Sequence, residues 1–586
     1  MMVYDCFKNH RLKIIIIVLF FLSINSFAQT FTLTVKTDSA SKSFLKKINY
    51  QNSFSSKPLR EKTLRKILSD FYANGYLTAS IDSIAKDSLN MTAFIHAGYK
   101  IEFAIIKKGN ANDLVLTETK IPSKHFFQEM HSYKEISELI ERLLTYYENN
   151  GYPFAVISLD SVFEKGHVFE ASLNIKKNNQ IVIDSIINKG DARIATPFLF
   201  SYLGFKKGEL YNESKIKKID SKLKQLSFLN IKKPTLFLFS ENENKIILTA
   251  DKRKISQFDG IVGFMPSSQS TGKPLLTGEA HLLLLNSFAR GELVDLTWRR
   301  LQALTQDIDI HLSYPYLFST PFGIDYKFHL LKQDSSYITL HNNIGIQYFF
   351  NGDNYLKAFV DQNTSSLLKN QTLENITSLP PYADVATTLY GLELKYNHLD
   401  YLFNPRKGYR IKIISSAGNK NIKKNSQINP TLYDSLKLKT TEYHIEANLG
   451  IFIPVFKKST IWINNQMAYI NNSTLFENEL FRIGGLNSLR GFDEESIHAS
   501  FFNILLIEYR YLFEKNSFFN IFWNGCYYEK KTHQAFISDT PYGFGAGISF
   551  ETKAGIFSLN YALGKQFDNP INFKSGKIHF GIVSYF

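Results

Sequence analysis

A long run of segments in which apolar and polar residues alternate constrains this chain most. The run begins near Phe258 and continues to the C-terminus, with clear examples at 278–284, 294–298, 344–348 and 443–449. Successive side chains of a strand point to opposite faces, so this period gives a sheet one apolar and one polar face. No stretch after residue 28 is apolar for 18 or more residues, which excludes spanning helices. The pattern therefore predicts strands that have one face in lipid and the other in a wet lumen.

The length of this half predicts the number of strands. Roughly 330 residues remain, and a membrane-spanning strand needs about 9 to 11 residues plus its loop, so an even count near sixteen fits. Open sheet edges in hydrocarbon would leave backbone groups unsatisfied, so the sheet must close. We therefore predict a 16-stranded antiparallel transmembrane β-barrel over residues 257–586. The aromatic content of 15% suits interfacial girdles, although composition alone also fits an aromatic-rich soluble β protein.

The N-terminus is typical of an export signal. Its apolar core, residues 14–22, is too short to span a bilayer, and a Ser-Phe-Ala cleavage pattern ends just before Gln29. Three basic residues precede the core: Lys8, Arg11 and Lys13. We predict a signal peptide at residues 1–28, with a retained anchor as the alternative. Removing it leaves Cys526 as the one thiol, so no disulfide can form within the mature chain.

A repeat with an offset of about 76 residues organises the first half. Segments 74–81 and 150–157 share Asn-Gly-Tyr, and each follows a stretch of helical periodicity. Asn-Gly after a helix indicates a C-cap in which glycine adopts a positive φ. A weaker third copy lies near residue 226 and lacks Asn-Gly-Tyr. The repeat predicts three α+β modules, at 29–105, 106–178 and 179–256.

The basic composition does not indicate a nucleic-acid-binding protein. The formal net charge is +15, but the lysines are scattered and form neither a basic helix nor a zinc-ligand spacing. A basic lumen or contact with anionic lipid headgroups explains the charge better. We therefore expect outer-membrane lipids, and not nucleic acid, among the partners.

The order of motifs resembles the BamA/TamA superfamily of outer-membrane insertases and transporters. The three modules resemble POTRA domains, which in that family hold client chains; a role as spacers is the alternative. Arg490-Gly491-Phe492 resembles the superfamily's Arg-Gly-Phe/Tyr signature in the sixth extracellular loop. The segments 404–409, 508–512, 544–547 and 555–561 resemble other strands and turns of the same barrel. Three modules are closest to the TamA-type layout.

The resemblance implies a lock inside the barrel. In the family the sixth loop folds into the lumen, where its arginine meets acidic groups on the wall. Here Arg490 would pair with Glu508 and donate a hydrogen bond to Asn524, which stands where the family usually has Asp. Losing that carboxylate should weaken the lock. The alternative is that Arg490 is a solvated loop residue.

The last strand resembles the C-terminal signal that the barrel-assembly machinery recognises. Phe580, Ile582 and Phe586 lie on one face of it. Many outer-membrane barrels share this feature, so it indicates location: an outer-membrane barrel with its modules in the periplasm.

These features predict an assembly or translocation factor that inserts or exports client proteins through a laterally opening barrel. Its partners would be unfolded outer-membrane clients, lipids and a periplasmic or inner-membrane protein. We expect no catalytic residue, metal or cofactor, because no Gly-x-Ser-x-Gly or His-x-x-x-His spacing occurs, and the His311–Ser313 pair is a weak hydrolase candidate. The alternatives are a two-partner-secretion-type transporter and a passive porin or receptor.

Overall fold

The computed structural model describes residues 30–584 apart from short segments. The segments left out are 101–102, 123–125, 127–129, 132, 166–167, 254, 266–274, 301–304, 369–375, 402–403, 553–554, 570, 572 and 574–575. The predicted signal peptide, 1–28, lies outside the described residues. None of the described helices is both long and apolar enough to cross a membrane.

The chain divides into two compact units. One comprises the residues up to Ile181 together with Leu210–Ser214, and the other comprises Val182–Glu209 and Lys215–Phe586. The first unit contains two α+β modules. Their elements are β1 Phe31–Thr37, α1 Lys42–Leu45, β2 Ser53–Phe54, α2 Lys57–Ala73, β3 Ser80–Lys86 and β4 Asn90–His96, then β5 Phe103–Lys107, α3 Asp113–Glu118, β6 Met130–His131, α4 Tyr133–Asn149, β7 Val156–Lys165 and β8 Val168–Lys176.

These two modules share one topology. Their sheets run β2-β1-β4-β3 and β6-β5-β8-β7, and in each the central pair is parallel. A long helix covers one face of each sheet: Leu64, Ile67 and Phe71 of α2 are buried in the first core. The expected boundary between residues 105 and 106 falls inside β5, because that strand pairs with β8 of the second module.

The repeated Asn-Gly-Tyr has the predicted geometry. Both long helices end immediately before it, and Gly75 and Gly151 adopt φ values of 91° and 94°. A side chain at either position would be strained, because L residues rarely enter this region. The repeat therefore marks the same turn twice, from the end of a helix toward the edge strand of a sheet.

A third α+β element, which belongs to the second unit apart from residues 210–214, precedes the large sheet. It contains β9 Val182–Ile183, β10 Ser185–Asn188, α5 Thr196–Leu203, β11 Glu209–Leu210, α6 Glu213–Ile216, α7 Ile219–Leu223, β12 Leu229–Leu238 and β13 Lys245–Lys252. Its sheet runs β10-β13-β12. Phe198 and Tyr202 of α5 pack on Tyr316 and Phe349, which belong to the large sheet and its turns, within a single buried cluster. This module and the large sheet thus share a core.

The remaining strands form one continuous antiparallel sheet. They are β14 Gln257–Met265, β15 Leu275–Leu285, β16 Leu293–Arg300, β17 Gln306–Tyr314, β18 Phe322–Gln333, β19 Tyr337–Asn351, β20 Asn354–Leu367, β21 Val385–Leu399, β22 Gly408–Ile422, β23 Lys439–Phe456, β24 Ser459–Asn471, then a separate hairpin of β25 Phe481–Ile483 and β26 Ile497–Ala499, then β27 Phe501–Leu512, β28 Phe518–Lys531, β29 Phe536–Asp539, β30 Tyr542–Thr552, β31 Gly555–Lys565 and β32 Lys577–Ser584.

The sheet has sixteen positions, as the sequence predicted. Its seventeen strand segments include β29 and β30, which pair in succession with β28 and so occupy one position. The end strands β14 and β32 approach each other to Cα distances within 8 Å, so the sheet wraps into a barrel. Every other neighbouring pair forms a ladder, but no ladder between β14 and β32 occurs among the described residues. We call this line the seam.

Alternation along the strands divides the wall into two faces. On β27 and β28, Ile507 and Trp523 are exposed, whereas Glu508 and Asn524 are buried. The polar residues thus face the lumen and the apolar ones face outward, as a lipid-facing wall requires. Short turns such as 457–458 join the strands on the side of the third module, and long loops such as 472–500 join them on the other side.

Candidate functional site

The sixth loop on the side away from the third module, residues 472–500, folds into the lumen. It contains the β25–β26 hairpin and then the predicted Arg490-Gly491-Phe492 motif. Leu489 and Phe492 are buried in an apolar cluster with Cys526 and Tyr528 of β28. The cluster gives the loop a hydrophobic attachment to the wall, so Arg490 is not a solvated loop residue.

Arg490 forms the predicted ion pair with Glu508. Its Nη1 donates to Oε2 of Glu508 at 2.5 Å, and the two side chains are 12% and 1% exposed. The guanidinium also lies over the ring of Phe522, 4.5 Å from its centroid. A charge-assisted bond with an aromatic stack fixes the position of Arg490 more tightly than either contact alone.

Asn524 contacts Arg490 in a different way from the one expected. Its Nδ2 donates to the main-chain carbonyl of Arg490 at 3.2 Å, and the guanidinium does not donate to its amide. Asn524 is fully buried, and its Oδ1 has no hydrogen-bond partner. The residue therefore holds the backbone of the loop, a role that its amide donor allows and an ionised carboxylate does not.

Arg510 belongs to the same polar cluster, and the sequence reasoning missed it. Its Nε donates to Oε1 of Glu508 at 2.5 Å, and its guanidinium stacks on Trp462 with 4.5 Å to the ring centroid. Its Nη1 also donates to Asn404 Oδ1 at 3.1 Å. Two arginines thus share one carboxylate. Alternation would have revealed this residue, since Arg510 lies two positions after Glu508 on the same strand face.

The loop also contacts the last strand of the sheet. The N–H of Gly491 donates to Nε2 of His579 at 3.2 Å, and Lys577 pairs with Asp493 at 2.7 Å. Gly491 has a φ of 101°, and a Cβ there would lie 2.8 Å from the carbonyl oxygen of Leu563, so only glycine allows this approach. The strand β32, which forms one side of the seam, therefore contacts the motif directly.

A second polar cluster holds the first part of the sixth loop, residues 474–479, which we call the root of the loop. Lys420, which is fully buried, donates to the carbonyl of Thr474 at 2.6 Å and to Oε2 of Glu479 at 2.7 Å. Glu442 lies 3.7 Å from the same ammonium. Burial, aided by the Glu442 carboxylate and opposed by Lys420, raises the pKa of Glu479 in the loop to about 7.

The predicted C-terminal signal is described only in part. The backbone of Phe580 and Ile582 lies in β32, opposite Leu559 and Phe557 of β31. Phe586 lies outside the described residues. On the same strand Ile578 is exposed and His579 is half-buried.

The hydrolase candidate does not assemble. His311 Nε2 contacts Asp325 Oδ2 at 2.7 Å, but the Ser313 hydroxyl donates to Gln347 at 3.4 Å. Elsewhere on the lumen wall, Asp307, Asp309 and His329 bring ligand-type atoms within 4.8 Å of one another. The guanidinium of Arg299 already pairs with Asp307 at 3.1 Å. A metal ion bound to these three residues would lie beside that positive charge, which is unfavourable.

The comparisons with known proteins agree with this architecture. The model of the Omp85 superfamily domain matches residues 286–586. CdiB from Escherichia coli is similar in structure, with a TM-score of 0.55 and 14% identity over 90% of this chain and 97% of that one. CdiB from Acinetobacter baumannii has a TM-score of 0.51 and 13% identity over 90% and 98%.

BamA from Haemophilus ducreyi lacking POTRA domains 1–3 also matches, with 15% identity over 81% of this chain and 98% of that one, at a TM-score of 0.42. A sequence search of curated proteins gives no match. At these identities the structural likeness concerns the fold alone.

Proposed function

The chain belongs to the Omp85 superfamily, and from this premise we propose that it assembles client proteins into the outer membrane or moves them across it. In this proposal the three modules lie in the periplasm and the barrel spans the membrane among its lipids. The clients are unfolded outer-membrane proteins, and a periplasmic or inner-membrane protein binds the modules. No ATP or cofactor takes part, because the folding of the client supplies the free energy.

The seam carries this proposal. Strands β14 and β32 approach each other without a ladder among the described residues, whereas all their neighbours are paired. Unpaired N–H and C=O groups in hydrocarbon cost several kcal/mol each. A client strand that pairs with β14 or β32 removes this cost whatever its sequence, so the seam favours strand addition.

The inward-folded loop places its lock beside the seam. Arg490 is fixed by Glu508 on the wall, while Gly491 and Asp493 contact His579 and Lys577 of β32. A change in the conformation of the loop would therefore alter its contacts with β32. The same loop occupies part of the lumen, which argues against a passive porin.

The modules offer edges for an extended client. In the second module β7 is an edge strand, and Val162 and Phe163 on it are 58% and 67% exposed. The ladder between β7 and β8 is irregular between Asp160 and Phe163, a device that restrains uncontrolled pairing. Such an edge suits transient capture by main-chain hydrogen bonds.

Depletion in the native host tests the function. We expect loss of a set of outer-membrane barrel proteins, restored by the intact chain. Loss of one secreted protein with barrels unchanged would instead indicate secretion, and steady single-channel conductance of the purified chain would indicate a pore.

A photo-crosslinker tests capture directly. Placed at Phe163, it should trap unfolded clients. The matched control is Leu114, which is 74% exposed but lies on the helix α3 rather than a sheet edge. Equal capture at both positions would contradict edge binding.

A further inference from the structure

We propose that the module-side rim of the barrel holds the phosphate of an anionic phospholipid headgroup. The site lies among three neighbouring turns that join β21–β22, β23–β24 and β27–β28, and its described residues are 400–401, 404–407, 457–458 and 513–517. All three lie on the side where β14 begins, because consecutive strands are antiparallel. The inference rests on the proposed membrane position of the barrel, since it places this rim at the leaflet that faces the modules.

Hydrogen bonds make the three turns a preformed scaffold. They are Leu512 N to Lys458 O at 2.7 Å, Asn404 Nδ2 to Lys515 O at 3.2 Å, and Arg406 Nη2 to Phe456 O at 3.1 Å. Each uses a main-chain carbonyl as acceptor. The lysine ammonium groups take no part in these three bonds, and that of Lys515 lies over the Tyr401 ring, 4.0 Å from its centroid.

The pocket between the turns has a volume of about 310 Å³ and an excess of positive charge. Arg406, Lys457, Lys458 and Lys515 line it, and no ion pair joins them to a carboxylate within the described part of the chain. The Nε of Arg406 is buried without a partner. Four cations against two carboxylates around one pocket favour an anion, and phosphate oxygens suit both lysine and arginine donors.

The two acidic residues at the pocket are already engaged. Oδ1 of Asp400 accepts from the backbone N–H groups of Arg406 and Lys407 at 2.9 and 3.1 Å. The Glu514 carboxylate accepts from the Ser517 hydroxyl at 3.2 Å. Both stabilise turns, and the pocket retains a net positive charge.

Apolar side chains next to the cations identify the anion as a lipid. Phe456 is 71% exposed, Val455 is 42% and Phe513 is 39%. Val455 and Phe456 end β23, and Phe513 directly follows β27, so all three adjoin the same turns. Acyl chains cover these side chains when the headgroup lies on Lys458 and Lys515, whereas inorganic phosphate leaves them exposed.

Binding of phosphatidylglycerol to the purified full chain in detergent tests this site. Native mass spectrometry would follow a titration with dioleoylphosphatidylglycerol, and dioleoylphosphatidylcholine serves as the uncharged comparison. Each basic residue near a lipid headgroup contributes enough to change affinity about fivefold. The double variant Lys458→Gln/Lys515→Gln should therefore bind phosphatidylglycerol roughly tenfold or more weakly.

The matched control is Lys437→Gln/Lys439→Gln, which removes two exposed lysines from the opposite end of the barrel. It should bind like the unmodified chain. All variants must keep their heat-modifiable mobility, which shows that the barrel is folded.

Equal binding by both double variants, or equal binding of the two lipids, would overturn the proposal. Displacement of the lipid by an equal concentration of inorganic phosphate would make the pocket a phosphate site and would also overturn it. The assay contains no client, so its outcome is independent of whether the chain assembles proteins.

Discussion

The amide of Asn524 donates a hydrogen bond to the main-chain carbonyl of Arg490 at 3.2 Å, from a side chain with no exposed surface. The close approach of β30 adds to this fit, because a Cβ at Gly543 would lie 2.1 Å from the same carbonyl oxygen. Two kinds of contact thus hold one residue: Glu508 fixes its guanidinium, and Asn524 fixes its backbone.

Asn524→Asp should loosen the sixth loop, the opposite of what the family's usual carboxylate suggests. An ionised carboxylate cannot donate to the Arg490 carbonyl and would face an oxygen in a buried site. The unsatisfied carbonyl alone costs about 1–3 kcal/mol. Faster protease cleavage within 484–492 would show it. Asn242→Asp, which adds the same charge at an exposed turn position between β12 and β13, is the control and should leave cleavage unchanged.

Arg490 and Arg510 should be coupled through Glu508. Truncating one arginine leaves a neutral pair, so each single alanine variant should cost less than the about 3–5 kcal/mol usual for breaking a buried pair. The double variant strands a carboxylate that is 1% exposed, so its cost should exceed the sum of the single costs. The readout is the temperature at which the compact electrophoretic form is lost.

Adding Glu508→Gln to the double variant should restore much of that stability, because it removes the stranded charge. Strictly additive costs, with no recovery in the triple variant, would show that Glu508 is not the shared partner. Arg290→Ala, at an exposed turn position, controls for loss of an arginine.

The root of the loop should weaken as pH rises. The pKa of Glu479 is about 7, above its ordinary value of 4.5, so the folded chain holds this proton more tightly than the unfolded chain does. Its stabilising effect is complete below pH 4.5 and is lost as pH rises to 7.

Glu479→Gln should flatten this part of the pH profile of heat stability. Glu477→Gln, on the same short helical turn, should not. An identical pH profile in the intact chain and Glu479→Gln would exclude Glu479 as the titrating group.

Tyr316→Ala should detach the third module from the barrel turns. Tyr316 stacks on Phe349 with ring centroids 4.8 Å apart and meets Phe198 edge-on at 5.7 Å. Loss of a buried aromatic ring costs about 3–5 kcal/mol. Proteolysis of 182–256 should begin at lower urea. Phe318→Ala in the same turn is the control, since Phe318 is 84% exposed; equal sensitivity of the two variants would disprove the role of this contact.

Periodic features of the fold were predictable from sequence. Alternation predicted the strands, because a lipid wall requires one apolar face throughout, and the length of this half predicted the sixteen positions. The Asn-Gly-Tyr repeat gave the helix ends at Gly75 and Gly151, because only a few residue types tolerate their φ. The shared core of Phe198 and Tyr316 was not predictable, since nothing local connects residues that far apart in sequence.

The candidate site was predictable where a motif and strand alternation coincide. Arg490 and Glu508 were found in this way, and Arg510 could have been. The direction of the Asn524 bond depends on where the loop backbone lies, and the buried Lys420 contacts Thr474 and Glu479 across long loops. Contacts of this kind follow from loop conformation, which residue spacing does not encode.

The third module also makes the two sides of the seam mechanically unequal. Ile255, just before β14, is buried in the core that the module shares with the barrel turns, and Gln257 at the start of β14 is buried as well. β32 has β31 on one side and the sixth loop against its lumen face. We therefore expect that, when a client strand is added at the seam as proposed, β14 stays in place and β32 moves once the sixth loop is released.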